Sequence, residues 1–260
     1  MRPEDELPPE ELLYGVHPVL EALTTRLRSV ERIFVAREGT AGPAGRLLRL
    51  ARQAGIPVTH VPREVLARRL GRKAVHQGIV AAVAPVPYAE PDAVCAAAAS
   101  APHGTLLLLD RVTDPRNLGA ILRTAAAAGA AGVLLGEGSV GLTPAALKTA
   151  AGAAGRLPVA REPKPGTRLE ALRRNGFRSL ALDPRGDLPW DRADLTGRLV
   201  LVVGGEGPGV RPGLATRTEH RVAIPLAPGV ESLNVSVSVG VILFEAVRQR
   251  RAIESPQGGW

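Results

Sequence analysis

A single cysteine, Cys95, stands in 260 residues. That excludes an internal disulfide, offers no metal-ligand cluster and fits a reducing compartment. No apolar run reaches the roughly 20 residues needed to cross a bilayer, and the acidic start MRPEDELPPEE lacks the apolar core of a secretory signal. The expectation is a soluble, cytoplasmic protein that binds no metal. Neither a GxGxxG dinucleotide fingerprint followed by a suitable acidic residue nor a GxxxxGK[ST] phosphate loop occurs. There is no internal repeat, and the alanine runs at 96–99 and 125–128 are too short to count as low complexity.

Lysine is nearly absent, yet the formal net charge is +8. Such an excess suggests a polyanionic partner, although a chain dominated by Ala, Gly, Pro and Arg could owe it to coding bias. Distribution separates the two readings. Residues 26–80 hold twelve Lys or Arg against three Asp or Glu, a net of +9, whereas residues 1–25 carry −5 and residues 81–260 carry +4. A general bias would not gather the charge in one segment.

A hydrophobic content of 45% supports proper cores, and the length suits two domains. In the basic segment, VHPVLEALTTRL and PAGRLLRLARQAG have helical spacing, the latter stopped by Gly55, while ERIFVA and IPVTHV suit strands. REVLARRLG and GIVAAVA continue the alternation. The arginines at 46, 49, 52, 68, 69 and 72 then fall on helix exteriors, where their number favours phosphate contact over a merely solvated face. His76 and Gln77 read equally as turn residues or as nucleotide-binding ones. Prolines at 85, 87, 91 and 102 mark residues 85–103 as a linker with room for one helix. The resulting division is 1–84 for the first domain, 104–252 for the second and 253–260 for a tail.

The second domain opens on TLLLLD, a strand of the kind covered on both faces. Asp114 and Pro115 follow as cap and first residue of a helix that Gly129 ends. Asn117 and Arg123 lie six residues apart on that helix, about 120° from each other's direction, so they need not share a face. A second buried strand, Leu199 to Val203, runs into glycines at 204, 205, 207 and 209 around Glu206. Glycine allows positive φ and close approach to the backbone, so this turn reads as a binding loop at a sheet's carboxyl edge. A further turn, from Ile224 to Asn234, would complete one pocket with it.

LDRVTDPRNLGAILRTA, LVVGGEGPGV and IPLAPGVESLNVSVSVG, in this order, resemble the three motifs of the SpoU (TrmH-like) family of RNA ribose 2′-O-methyltransferases in the SPOUT superfamily. YGVHPVLEAL and HQGIV are similar to the small substrate-binding domain of the bacterial members that methylate a guanosine of 23S ribosomal RNA. The resemblance implies an α/β fold: a small, ribosomal-protein-like RNA-binding domain, then a SPOUT domain with a trefoil knot, assembled as a homodimer. It also implies a helix near 235–251, where VSVSVGV alone alternates as a strand would.

The methyl donor it implies is S-adenosylmethionine, held by Gly204, Gly205, Ile224 and Leu233, with Leu226 beside them. Asn117, Arg123, Glu206, Ser232 and Asn234 match the polar family positions around the methyl and the ribose, though Ser232 and Asn234 equally suit a helix cap. The family's arginine is often described as a general base. A guanidinium stays protonated at physiological pH, so Arg123 is expected to remain cationic and to stabilise charge on the 2′-oxygen. Transfer RNA or another ribosomal site remains an alternative substrate, and a non-catalytic RNA-binding ribosome assembly factor an alternative function.

Overall fold

The structure, a computed structural model, describes residues 11–25, 30–37, 44–71 and 74–254. The chain forms two compact units, Met1–Pro87 and Tyr88–Trp260. Arg72 lies outside the described residues.

In the first unit β1 (Glu11–Tyr14) leads to α1 (Val16–Thr25), β2 (Val30–Ala36), α2 (Ala44–Gln53), β3 (Val58–Val61), α3 (Arg63–Leu70) and β4 (Ile79–Val83). The sheet order is β1-β4-β2-β3, with β4 antiparallel to both neighbours and β3 parallel to β2. Strand β2 is buried on both faces: Ile33 and Val35 pack with α1 and α2, while Phe34 and Ala36 pack with α3. Alternation along a pleated strand produces that division. On α2 the buried Ala44, Leu47 and Ala51 stand opposite exposed Arg46, Arg49 and Arg52, and Arg68 and Arg69 are likewise exposed on α3.

The two amino-terminal motifs meet here. Gln77, at φ +51°, accepts the Val16 N–H at 3.1 Å and so caps α1, and His76 is buried with Nδ1 accepting the Gly78 N–H at 3.2 Å. Both are therefore turn residues. Burial, and then the charge of Arg63, hold the His76 imidazole below its ordinary pKa.

The second unit begins with α4 (Pro91–Ser100), inside the stretch expected as a linker; its Val94 and Ala98 belong to the unit's core. There follow β5 (Thr105–Asp110), α5 (Pro115–Ala127), β6 (Gly132–Gly136), α6 (Pro144–Ala150), β7 (Val159–Glu162), α7 (Pro165–Arg174), β8 (Arg178–Leu182), β9 (Leu188–Pro189), β10 (Leu199–Gly204), α8 (Pro212–Ala215), β11 (His220–Ala223) and α9 (Val235–Glu254). The seven-stranded sheet is parallel throughout, in the order β7-β6-β5-β10-β8-β11-β9.

One face carries α4, α7 and α8, whose Leu169, Leu172 and Leu214 pack with Leu106, Leu108, Val200 and Val202. Helix α5 packs against α6 and α9. Gly119 makes the α5–α6 contact possible, since a Cβ there would stand 2.4 Å from the Ala146 carbonyl oxygen. The alternating VSVSVGV is helical, as the resemblance implied, and the helix runs to Glu254, beyond Arg251. Its Val239, Ile242, Leu243 and Ala246 are buried at helical spacing, whereas Val237 and Phe244 are each 51% exposed. Gln249 anchors its far end, accepting the Leu195 N–H at 2.8 Å and donating to the Ala193 carbonyl at 2.9 Å.

Candidate active site

The sheet order turns back between β5 and β10. From β5 the chain adds β6 and β7 on one side, then crosses to the other, where β10 lies beside β5 and β8, β11 and β9 lie beyond β10. In open α/β sheets the crevice at the carboxyl ends of such a switch point is where ligands bind. The loop after β5 and the glycine turn after β10 both emerge there.

A buried ion pair ties these two loops together. Asp110, the last residue of β5, is fully buried. It accepts the Arg211 main-chain N–H at 2.8 Å and the Arg211 guanidinium at 2.8 Å from Nε and 2.7 Å from Nη2. Its carbonyl accepts the Gly205 N–H at 2.9 Å. The Asp110 hydrogen bonds push the Arg211 pKa up, which keeps the guanidinium charged. Ser139 steadies the other loop, donating to the Leu109 carbonyl at 3.1 Å and accepting the Val112 N–H at 3.2 Å.

At Gly204 and Gly205 the close approach is made by the chain itself. A Cβ on Gly204 would stand 1.9 Å from the Gly209 carbonyl carbon, and one on Gly205 would stand 2.0 Å from the Arg111 carbonyl oxygen. The turn can close only if both positions lack a side chain. Gly207 and Gly209, at φ +86° and +65°, have open space where a Cβ would be and serve the turn through conformation instead.

The closed turn borders a cleft of about 340 Å³, within the roughly 300–1,000 Å³ usual for ligand pockets. All five positions expected to hold a cofactor, Gly204, Gly205, Ile224, Leu226 and Leu233, line it, as do Glu206, Ser232 and Asn234. Sequence reasoning missed Asp183 and Ser238 on the same wall. Asp183 follows β8 and opens the turn Asp183-Pro184-Arg185-Gly186, whose proline and glycine were the signal that could have found it. Asp110 and Arg211 were missed too, although an aspartate ending a wholly apolar strand demands a buried partner.

Asn117 reaches the rim from the first turn of α5, where Asp114 caps the helix by accepting the Arg116 N–H at 2.7 Å. Asn117 is 7% exposed. Its Nδ2 donates to Glu206 Oε1 at 2.6 Å, and Asn234 Nδ2 donates to Asn117 Oδ1 at 3.0 Å and to Glu206 Oε1 at 3.3 Å. Asn234 also accepts the Ser236 N–H at 2.9 Å, so it caps α9 while joining the cluster. Glu206 Oε2 has no hydrogen-bond partner among the described residues. Ser232 is exposed on the cleft wall. Arg123 is exposed on α5 and, among the described residues, makes no hydrogen bond or ion pair; a single chain does not bring it into contact with the cluster. No helix among the described residues is long and apolar enough to cross a membrane.

Comparison with known proteins agrees with this layout. The SpoU rRNA Methylase family profile matches residues 104–244, and the profile for RNA 2′-O ribose methyltransferase substrate binding matches residues 12–89. An uncharacterized tRNA/rRNA methyltransferase of Mycobacterium avium is 41% identical over 253 residues, 96% of this chain and 81% of that relative. The crystal structure of the SpoU methyltransferase AviRb from Streptomyces viridochromogenes with AdoMet superposes with a TM-score of 0.75 at 28% identity, covering 92% of this chain and 89% of that one. The AdoMet-bound rRNA methyltransferase of Sinorhizobium meliloti gives 0.74 at 25% identity, over 92% and 87%. With both of its units matched in order, the chain belongs to the SpoU family of RNA methyltransferases.

Proposed function

We propose that the protein transfers a methyl group from S-adenosylmethionine to a ribose 2′-hydroxyl of RNA, on a guanosine of 23S ribosomal RNA, in the cytoplasm. The observation that carries this reading is the hydrogen-bonded cluster of Asn117, Glu206 and Asn234 on the rim of a cleft made of glycine backbone and apolar side chains. The AdoMet-bound relatives and the 2′-O ribose description of the substrate-binding profile support it.

The residues present fit the cofactor. Ile224, Leu226 and Leu233 suit an adenine, main-chain groups of Gly204, Gly205 and the Ile224 to Leu233 turn suit its polar edge, and the carboxylates of Asp183 and Glu206 suit a ligand that carries positive charge. When bound, the cofactor supplies an electrophilic methyl on a sulfonium. The chain's own part is placement and charge. Glu206 Oε1 is occupied by two amide donors, which aims the carboxylate and leaves Oε2 to accept from a ribose hydroxyl. Ser232 stands on the same wall as a further donor. Arg123 remains cationic, grips a phosphate beside the target ribose and stabilises negative charge developing on the 2′-oxygen.

The working unit is a homodimer. The exposed Val237 and Phe244, seven residues apart on α9 with half-buried Val241 between them, form an apolar stripe that a second copy would cover. Residues 1–84, with exposed Arg46, Arg49 and Arg52 on α2, select the RNA, and residues 104–252 hold the cofactor and the dimer contact.

Mapping 2′-O-methyl positions in the RNA of a deletion strain, alongside methyl transfer by the purified chain, tests the reading. One guanosine of 23S ribosomal RNA should lose its methyl group. A loss confined to transfer RNA would move the substrate, and cofactor and RNA binding without transfer would leave an RNA-binding assembly factor.

A further inference from the structure

A second cleft opens at the same sheet edge, on the other side of the contact between Arg111 and Gly205. It has a volume of about 630 Å³, and its charged lining is Arg111, Lys164, Arg211, Arg217 and Glu137. Arg111, Glu137 and Lys164 follow β5, β6 and β7, while Arg211 and Arg217 flank α8, so segments far apart in sequence bring four cations to one space.

The cations differ in how far they are committed. Arg211 is held from beneath by the buried Asp110 and reaches Glu137 at 3.2 Å through Nη1. Arg217 pairs with Glu170 at 2.5 Å. The exposed side chains of Arg111 and Lys164 have no carboxylate partner among the described residues; Lys164 meets Glu162 through its main-chain N–H, at 3.0 Å. The lining therefore has an excess of positive charge, part of it fixed in orientation and part free to meet a ligand.

Arg111 connects the two clefts. Its carbonyl oxygen lies against Gly205, at the wall of the first, while its side chain lines the second. Its backbone is left-handed at φ +57°, an uncommon conformation for a residue with a side chain. A polyanion with one residue in the first cleft would thus lay its neighbouring backbone across the second.

Resting on the methyltransferase reading above, we propose that this cleft binds a backbone phosphate of the substrate RNA next to the nucleotide being methylated. Lys164 and Arg111 contact the phosphate, and Arg211 serves as a fixed positive wall behind it. The cleft would contribute affinity and strand direction but no chemistry.

The test uses the full chain with 23S ribosomal RNA transcribed in vitro, and the variants Lys164→Gln, Arg111→Gln and both together. Arg156→Gln removes a charge from an exposed position elsewhere in the unit and serves as control. Either cleft variant should weaken RNA binding several-fold, and the slope of log affinity against log salt should fall by about 0.7 for each cation lost. The melting temperature, S-adenosylmethionine affinity and turnover at saturating RNA should match wild type. Unchanged RNA affinity and salt slope in the double variant would overturn the proposal, as would a wild-type chain that does not bind the RNA. A wild-type chain that binds RNA with the expected dependence on the cleft but transfers no methyl would sink the methyltransferase reading alone.

Discussion

Asn117 and Glu206, 89 residues apart, meet at 2.6 Å, and that hydrogen bond joins the first turn of α5 to the glycine turn after β10. Because Asn234 donates to the same carboxylate oxygen, three segments of the second unit share one acceptor. An amide held this way, 7% exposed, is fixed by the fold before any ligand arrives.

Glu206→Gln should therefore leave the fold intact and cut turnover on the order of a hundredfold, the scale of losing one preoriented catalytic group. The side chain keeps its shape but loses the charge that both amides address. Single-turnover methylation at saturating RNA is the measurement. A rate within a fewfold of wild type would remove Glu206 from the chemistry.

Gly205→Ala should damage folding and cofactor binding together, since its methyl group would lie 2.0 Å from the Arg111 carbonyl oxygen. Gly207→Ala meets open space and pays only for positive φ, about 1 kcal/mol. Thermal melts and calorimetric titration with S-adenosylmethionine should separate the two variants. Equal behaviour would mean that backbone crowding is not what position 205 protects.

These contrasts show which features local sequence could reveal. Strands β2, β5 and β10 were legible because each is an unbroken apolar run, and α2 because its apolar residues recur at helical spacing. Helix α9 was not legible locally. VSVSVGV alternates like a strand, and the helix wins because Val239, Ile242, Leu243 and Ala246 all find buried positions. The cleft's glycine turn could be found from composition, but what crowds Gly205 could not. Nor could the partner of Asp110, which lies 101 residues away.

Arg211→Ala would strand the Asp110 carboxylate, which is fully buried. Breaking one side of a buried pair typically costs about 3–5 kcal/mol. The melting temperature should fall, and S-adenosylmethionine affinity with it, because Asp110 also receives the Gly205 N–H on its carbonyl. Chemical denaturation reads the first effect and calorimetry the second. A loss under about 1 kcal/mol would show that water replaces the guanidinium.

His76 makes the stability of the first unit depend on pH. Burial lowers its pKa from the ordinary 6.5, with Arg63 adding to the effect, so the folded unit favours the neutral imidazole. Below pH 6.5 the unfolded chain takes up a proton that the folded one resists. Its contribution is thus fully present above that value and is lost as pH falls through and below it. Going from about pH 7.5 to about 5.5 should lower the unfolding midpoint more for wild type than for His76→Gln. Parallel curves would place the imidazole in a site open to water.

Arg123 is the residue on which turnover should depend most, although a single chain leaves it exposed and unpaired among the described residues. A cation kept without a carboxylate partner is available to an anionic ligand, and every nucleotide within an RNA strand is flanked by phosphates. Acting as a general base would require the guanidinium to lose a proton that it holds firmly at physiological pH. Acting as a fixed positive charge requires nothing unusual. Arg123→Ala should keep S-adenosylmethionine affinity and the oligomeric state while losing about 2.7–4 kcal/mol of transition-state stabilisation. Arg123→Lys should recover only part, since a point charge replaces a planar fork. Single-turnover rates across pH decide between the roles. A wild-type rate in the alanine variant would end the proposal, and a rate that tracks deprotonation of a group absent from that variant would favour the base.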